Sequence, residues 1–352
     1  MSLPVRTLSL TESAAMELER NLWNDRYTSA YMKADGKKER IKVRYRGGHT
    51  REYPKRSYDV IRDGEIFHYN AEFDDPSMIR NALSFAFFPM IGVPAPRCQH
   101  VLLYRNDHPQ GVYLEIENVG KRFFRRRGIG AVALFYAINN NADFGVLHPE
   151  SGYPKSSMLS GYEHRFGGAQ EKKRLSEFIR GIHETSGSRQ VEFFQQKLDL
   201  DNYFRWLAGA VLTGNYDGFE QNYAIYRHAR TGKYRMIPWD YEGTWGRNCY
   251  GEIQDDHQVP VTGYNKLTLK LMEHRPFRIM YRNILREALK GPFTESKIMP
   301  LAMKMLSKLA PHIREDPLRR WSYRDFLGEA DLIRRYIHVR RLIVAQEMEK
   351  LV

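Results

Sequence analysis

The chain has 352 residues, enough for two core-forming lobes or one large domain. Its 42% hydrophobic, 13% aromatic and 28% charged residues, with no low-complexity tract, exclude a disordered or fibrous protein. The formal charge of +13 favours anionic ligands, but apart from Lys121, Arg122, Arg125, Arg126 and Arg127 the basic residues are scattered, which argues against nucleic acid.

Two cysteines, Cys98 and Cys249, lack the spacing of a metal site and read as reduced thiols. The first residues have no continuous apolar core of a signal peptide, and the apolar stretch 83–96 is broken by Pro89, Gly92 and Pro94. The expectation is a cytoplasmic protein without a membrane span.

In chain order, a short helix over 12–21 precedes a strand over 40–46, alternating as IKVRYR, and the turn at Gly47 and Gly48. Strands over 57–62 and 66–69 flank the Asp63-Gly64 turn. Asp75 and Pro76 open a helix over 77–91. Strands over 99–104 and 112–117 complete a small, mostly antiparallel sheet carrying that helix. A Gly-, Ser- and Pro-rich region places a linker within 118–170. Helical spacing follows over 172–184, 188–198 and 201–213, then a hairpin over 222–228 and 234–239, and four helices over 265–350. The expected fold is α+β and bilobed, protein-kinase-like in element order, with a sheet-rich lobe over 1–120 and a mainly helical lobe over 121–352.

The sharpest constellation is GNYDGFEQNYAIYRH followed by MIPWDYEGTWG, which sets Asp217, Asn222 and Asp240 around the hairpin. Phosphoryl transfer needs metal ions on the phosphates, an oriented acceptor hydroxyl and charge compensation rather than covalent chemistry by the protein. An Asp, an Asn soon after it and a second Asp beyond a hairpin match the catalytic loop and metal-binding strand of kinases. Asp217 would orient or deprotonate a substrate hydroxyl, while Asn222 and Asp240 hold Mg²⁺ through hard oxygens. Turn-forming and capping roles are the bland alternative for any one of the three. Lys55, with Arg46 and Arg51 beside the Gly47-Gly48 turn, would supply cations to the phosphates of ATP. Glu117, Asn118 and Val119 would present backbone groups to the adenine edge.

With RYRGGHTREYPKRSY, DPSMIRNALSFAFFPMIGVPAPRCQHVLL, GVYLEIENV, RWLAGAVLTGNYDGFEQNYAIYRH and IPWDYEGTWG, the chain resembles the spore coat protein H (CotH) kinases over about residues 15–345. That resemblance implies an atypical Ser/Thr protein kinase using ATP and Mg²⁺ to phosphorylate spore coat proteins, Ser-rich ones among them, in the mother cell and then the coat. It assigns catalysis to Asp217 and Asp240, metal binding to Asn222 and phosphate contact to Lys55. The expected departures from ordinary kinases are the lack of a GxGxxG loop and of the HRD and DFG triplets. It departs from many family members in carrying Glu242 where they have Asp, which puts a second metal on Glu242 in question. The competing expectations are a kinase-fold scaffold of the spore coat and a basic nucleic-acid-binding protein or metal-dependent nuclease, the latter requiring salt-sensitive nucleic-acid affinity. Oligomeric state is not legible.

Overall fold

The computed structural model describes residues 2–351. The chain forms two compact units: Met1–Ala82, Pro96–Asn118 and Pro300–Asp331 make the first, and Leu83–Ala95, Val119–Met299 and Leu332–Val352 the second. Neither is one stretch of sequence.

The first unit contains β1 (Val5–Ser9), β2 (Thr28–Ala34), β3 (Lys37–Arg46), β4 (Ser57–Arg62), β5 (Glu65–Asn70), β6 (Cys98–Arg105) and β7 (His108–Glu117). They close into a barrel in the order β1-β2-β3-β4-β5-β7-β6. This corrects the expected small, mostly antiparallel sheet. Two strands escape sequence reading, and β1 closes the ring by pairing parallel to β6, Val5 opposite Leu102. β2 does alternate, with Thr28, Ala30, Met32 and Ala34 inward, but its small residues look equally helical. Closure removes the exposed strand edges that would otherwise invite pairing with other chains.

Tight turns at Asp35-Gly36 and Asp63-Gly64 join successive strands, both residues of each pair having positive φ, as two-residue hairpin loops require. Met32, Val43, Tyr45, Tyr58, Val60, Tyr69 and Tyr113 fill the barrel. Helix α1 (Glu12–Arg20), capped by the Thr11 hydroxyl accepting from the Ala14 amide at 3.2 Å, adds Leu18 to that core. Buried Arg6 donates to Glu115 at 2.8 Å, and Glu115 also accepts from Tyr69 at 2.7 Å and Gln99 at 2.6 Å.

Helix α2 runs Arg80–Met90, starting later than the Asp75-Pro76 signal suggests. Asp75 accepts from the Ser77 amide (2.8 Å) and the Arg80 amide (2.9 Å), and Met78 between them has φ +57, which a helix cannot contain. From Leu83 onward its residues belong to the second unit, where Leu83, Phe87 and Phe88 are fully buried.

The second unit continues with α3 (Lys121–Arg126), β8 (Ala131–Ala137), β9 (Tyr162–Phe166), α4 (Ala169–Glu184), α5 (Gly187–Lys197), α6 (Leu200–Thr213), β10 (Tyr223–His228), β11 (Tyr234–Pro238), α7 (Lys266–Met272) and α8 (Arg275–Lys290); α9 (Glu295–Ile313) and α10 (Tyr323–Glu347) contribute to both units. The β10–β11 hairpin is half of a four-stranded sheet ordered β11-β10-β8-β9. The region 118–170 is thus ordered structure, its two strands hidden by the Gly- and Ser-rich turns around them. Helix α6 is almost wholly buried, and its Gly209 is required because a Cβ there would run into the Phe88 ring.

Candidate active site

Everything in the site hangs from the C-terminal end of α6. Gly214, at φ +73, closes the helix in the left-handed conformation that favours glycine. The last carbonyls are all satisfied: Ala210 by the Asn215 amide (3.0 Å), Val211 by Arg340 Nε (2.9 Å), Leu212 by the Tyr336 hydroxyl (3.0 Å) and Thr213 by the Trp245 amide (2.8 Å). Residues 215–222 therefore leave a fixed platform rather than a fraying helix end.

On that loop the Asp217 carboxylate accepts from Gln221 Nε2 at 2.5 Å and from Asn222 Nδ2 at 3.0 Å. Asn222 donates its backbone amide to Ala137 O (3.1 Å) and accepts at its own carbonyl from the Trp239 amide (3.2 Å). Asp240 follows directly, its carbonyl accepting from Asn215 Nδ2 at 3.3 Å. The three expected residues of this unit thus share one knot of loops. Asn222 (φ +57) and Asp240 (φ +60) both lie in the left-handed region, which costs a non-glycine residue of order 1–3 kcal/mol and persists only where surroundings enforce it.

Burial pushes the Asp217 carboxyl above the ordinary carboxylate range, and the two amide donors oppose that rise. Tyr216 holds its hydroxyl 2.9 Å from Cys249 Sγ. Burial raises the Cys249 thiol, which also feels Asp217, Glu242 and Asp240, so Glu242 shares this neighbourhood. Val119 is linked to it too: its carbonyl accepts from the Tyr136 hydroxyl (2.8 Å), and the Tyr136 ring packs 5.3 Å from Trp239, the residue before Asp240.

The other expected residues lie in the barrel unit. Arg46 meets Asp59 at 3.3 Å and also donates to Asn70. Asp59 contacts His68 Nδ1 at 2.6 Å, and His68 Nε2 lies 3.3 Å from Asn118 Oδ1, so Arg46 and Asn118 belong to one network. Glu117 accepts from the Arg97 amide at 3.1 Å. Arg51 is held by Gly47 O (2.7 Å), Leu22 O (2.9 Å) and Asp25 (3.2 Å). Lys55 is fully buried; its ammonium donates to Asp316 at 2.6 Å and Val112 O at 2.7 Å, under the Tyr113 ring. Burial lowers its pKa and Asp316 opposes that. Gly111 makes room for this pair, since a Cβ there would collide with the Asp316 carboxylate.

The expectation that the chain lacks a DFG triplet is corrected by Asp143-Phe144-Gly145, which stands before the 217 loop rather than after it. The triplet itself was the available signal. Asp143 is buried, paired with buried Lys155 at 2.7 Å, while its Oδ2 has no hydrogen-bond partner among the described residues. Phe144, at φ +62, stacks on Tyr223.

Among the described residues no three His, Cys, Asp or Glu side chains are grouped to hold a metal by themselves. The oxygen donors of Asn222, Asp240 and Glu242 are of the hard kind that Mg²⁺ accepts, and Mg²⁺ needs only one or two carboxylates beside water and phosphate. Among the described residues, no helix is long and apolar enough to cross a membrane.

A family profile described as CotH kinase protein matches residues 43–344. The chain is 34% identical over 343 residues to the inner spore coat protein H of Bacillus subtilis (strain 168), spanning 96% of this chain and 95% of that protein. It is 25% identical over 271 residues to an inner spore coat protein H-like protein of the same organism, spanning 75% and 76% of the two chains. Among solved structures, the Helicobacter pylori proinflammatory kinase CtkA aligns over 84% of this chain and 93% of its own at 10% identity and a TM-score of 0.35, too low to bear on the fold.

Proposed function

The chain belongs to the CotH kinase protein family, and from that premise we propose that it is an atypical Ser/Thr protein kinase, bilobed and protein-kinase-like, that uses Mg-ATP to phosphorylate Ser-rich spore coat proteins during coat assembly. The observation that carries the reading is the knot of Asp217, Asn222 and Asp240, in which two residues are held in costly left-handed conformations beside a carboxylate raised by burial. Asp217 orients the acceptor hydroxyl and Asp240 and Asn222 hold Mg²⁺, with Glu242 available to it. Bound Mg²⁺ would neutralise charge on the phosphates. Lys55, Arg46, Arg51, Glu117, Asn118 and Val119 are the nucleotide contacts of the proposal. The protein would act in the mother cell and remain in the coat.

A scaffold without catalysis is the second reading, favoured by Lys55, whose ammonium already has a buried carboxylate partner. Intact-mass measurement decides between them. Wild type, Asp217→Ala and Asp240→Ala are each incubated with Mg-ATP and a Ser-rich coat protein. The kinase reading expects phosphate-sized mass gains with wild type alone; equal gains in all three, or none in any, overturn it.

A further inference from the structure

Tyr216, the residue before Asp217, lines a cavity of about 300 Å³ together with Asn248, Ile253, Gln254, Asp255 and Gln258. The walls are fixed. Arg247 and Ile253 pair as an antiparallel bridge, and the backbone amides of Asn248 and Gln254 donate to Glu252 O (2.9 Å) and Gly246 O (3.0 Å). Asn248 Oδ1 accepts from the Tyr250 amide at 2.9 Å and the Glu252 amide at 3.0 Å. The turn that follows is closed by the Gln258 amide donating to Asp255 O (3.0 Å), and Arg340 holds it by donating to Asp256 O (3.2 Å) and Val259 O (2.8 Å). The Tyr216 hydroxyl lies 2.9 Å from Cys249 Sγ, so the segment carrying Asn248 is tied to the loop carrying Asp217.

What these walls leave unused is of one kind. Asn248 Nδ2 is spent on Glu252 at 2.9 Å, and Asp255 Oδ1 on the His257 amide at 2.8 Å. The side-chain amides of Gln254 and Gln258 line the cavity and make no hydrogen bond among the described residues. A carboxamide is both donor and acceptor, so a ligand that satisfies two of them carries both kinds of group itself. A phosphate is ill suited, because among the described residues the lining includes the Asp255 carboxylate and no lysine or arginine. A cation gains little, because Asp255 is exposed and water screens its charge. Among the described residues no three ligating side chains are grouped there for a metal.

We infer that this cavity binds an amide group of the protein substrate, close in sequence to its phosphoacceptor residue, through the carboxamides of Gln254 and Gln258. The amide is a peptide bond of the main chain or the side chain of asparagine or glutamine, which share the same N–H and C=O chemistry. Its place follows from the chain. Tyr216 and Asp217 are adjacent, and extended polypeptide advances about 3.5 Å per residue, so a segment whose hydroxyl meets Asp217 reaches the cavity within a few residues. Ile253, 67% exposed, adds an apolar contact beside the two amides. This inference rests on the kinase reading and deepens it.

The test uses synthetic peptides built around one phosphoacceptor serine of a Ser-rich coat protein, with the whole protein and Mg-ATP. One arm N-methylates the peptide bonds singly, removing a main-chain donor each time; the other replaces each Asn or Gln by Leu. In wild type one such change is expected to raise KM about fivefold, the scale of one neutral hydrogen bond. The arm in which it falls tells main chain from side chain. Gln254→Leu and Gln258→Leu each raise the KM of the unaltered peptide by a similar factor, with the loss in peptide KM and not in kcat or in the KM for Mg-ATP, a split that misfolding does not give. In the double variant the penalty of the peptide change disappears. An unaltered peptide KM in both single variants overturns the inference and leaves the kinase reading intact. So does a wild type indifferent to every peptide change, or a penalty that persists in full in the double variant. A raised KM for Mg-ATP alone overturns it in favour of a nucleotide contact. If wild type phosphorylates neither the peptides nor the coat protein, the kinase reading fails and this inference falls with it.

Discussion

The barrel unit and the short loop at 217–220 treat their carboxylates in opposite ways. In the barrel unit Arg6 faces Glu115, Arg46 and Arg44 face Asp59, Lys55 faces Asp316, and Arg80 lies between Asp75 and Glu329. In the Asp217 loop, among the described residues, the Asp217 carboxylate accepts hydrogen bonds from two neutral amides and Glu220 forms no hydrogen bond or ion pair. A buried charge with an opposite partner serves the fold, whereas a carboxylate met by amides alone has its pKa raised, the pattern of perturbed groups at functional sites.

The sharpest way to break the contrast is to neutralise one acid on each side. Asp217→Ala is expected to reduce phosphotransfer by about 10²–10⁴-fold with little loss of stability, read by phosphate incorporation and thermal melting together. A stability loss matching that of a barrel acid would sink the distinction. Asp316→Ala should cost about 3–5 kcal/mol, because it strands the Lys55 ammonium in the interior. The double replacement Lys55→Met, Asp316→Leu should recover most of that in denaturant titration. If the double variant folds but loses nucleotide binding, Lys55 has a role beyond packing; if binding survives, Lys55 drops out of the nucleotide contacts.

A milder comparison uses pH. Asp59 is held well below the ordinary carboxylate range: burial raises it, but His68, Arg46 and Arg44 lower it further. A carboxylate with a depressed folded pKa stabilises above its unfolded pKa, near 4, and loses that contribution as pH falls towards the folded value. Asp59→Asn should therefore flatten the acid limb of stability below about pH 4. Asp217 has the opposite sign. Its pKa is raised, so its ionisation costs stability as pH rises through the window above the unfolded value, and the acid limb of activity should lie above the usual carboxylate range. The smallest expected effect is Gln221→Leu. It removes the donor that most opposes the rise and should move that limb to higher pH, seen in the kcat profile; a limb that stays put would mean another group controls it.

Much of this is legible in the sequence itself. The strand at Ser57–Arg62, the helices from α4 to α8 and the Asp217, Asn222, Asp240 set follow from periodicity and spacing. The barrel was not, because its closure depends on β1 pairing with a strand almost a hundred residues away, and no local pattern announces a long-range partner. Lys55 illustrates the same limit. Its place just before a strand suggested a free cation, whereas its partner Asp316 lies 261 residues further on. Asp143 was overlooked although its Asp-Phe-Gly triplet stands in the sequence; what the sequence cannot display is its buried Oδ2, without a hydrogen-bond partner among the described residues.

The seating of Tyr336 and Arg340 against the last carbonyls of α6 has a consequence in time. A ribosome must finish most of α10 before residues 211 and 212 receive their partners, more than a hundred positions after they were made. The loop bearing Asp217 therefore gains this support only once α10 has been made, and a nascent chain stopped before that helix carries the residues of the proposed site without the support that arranges them.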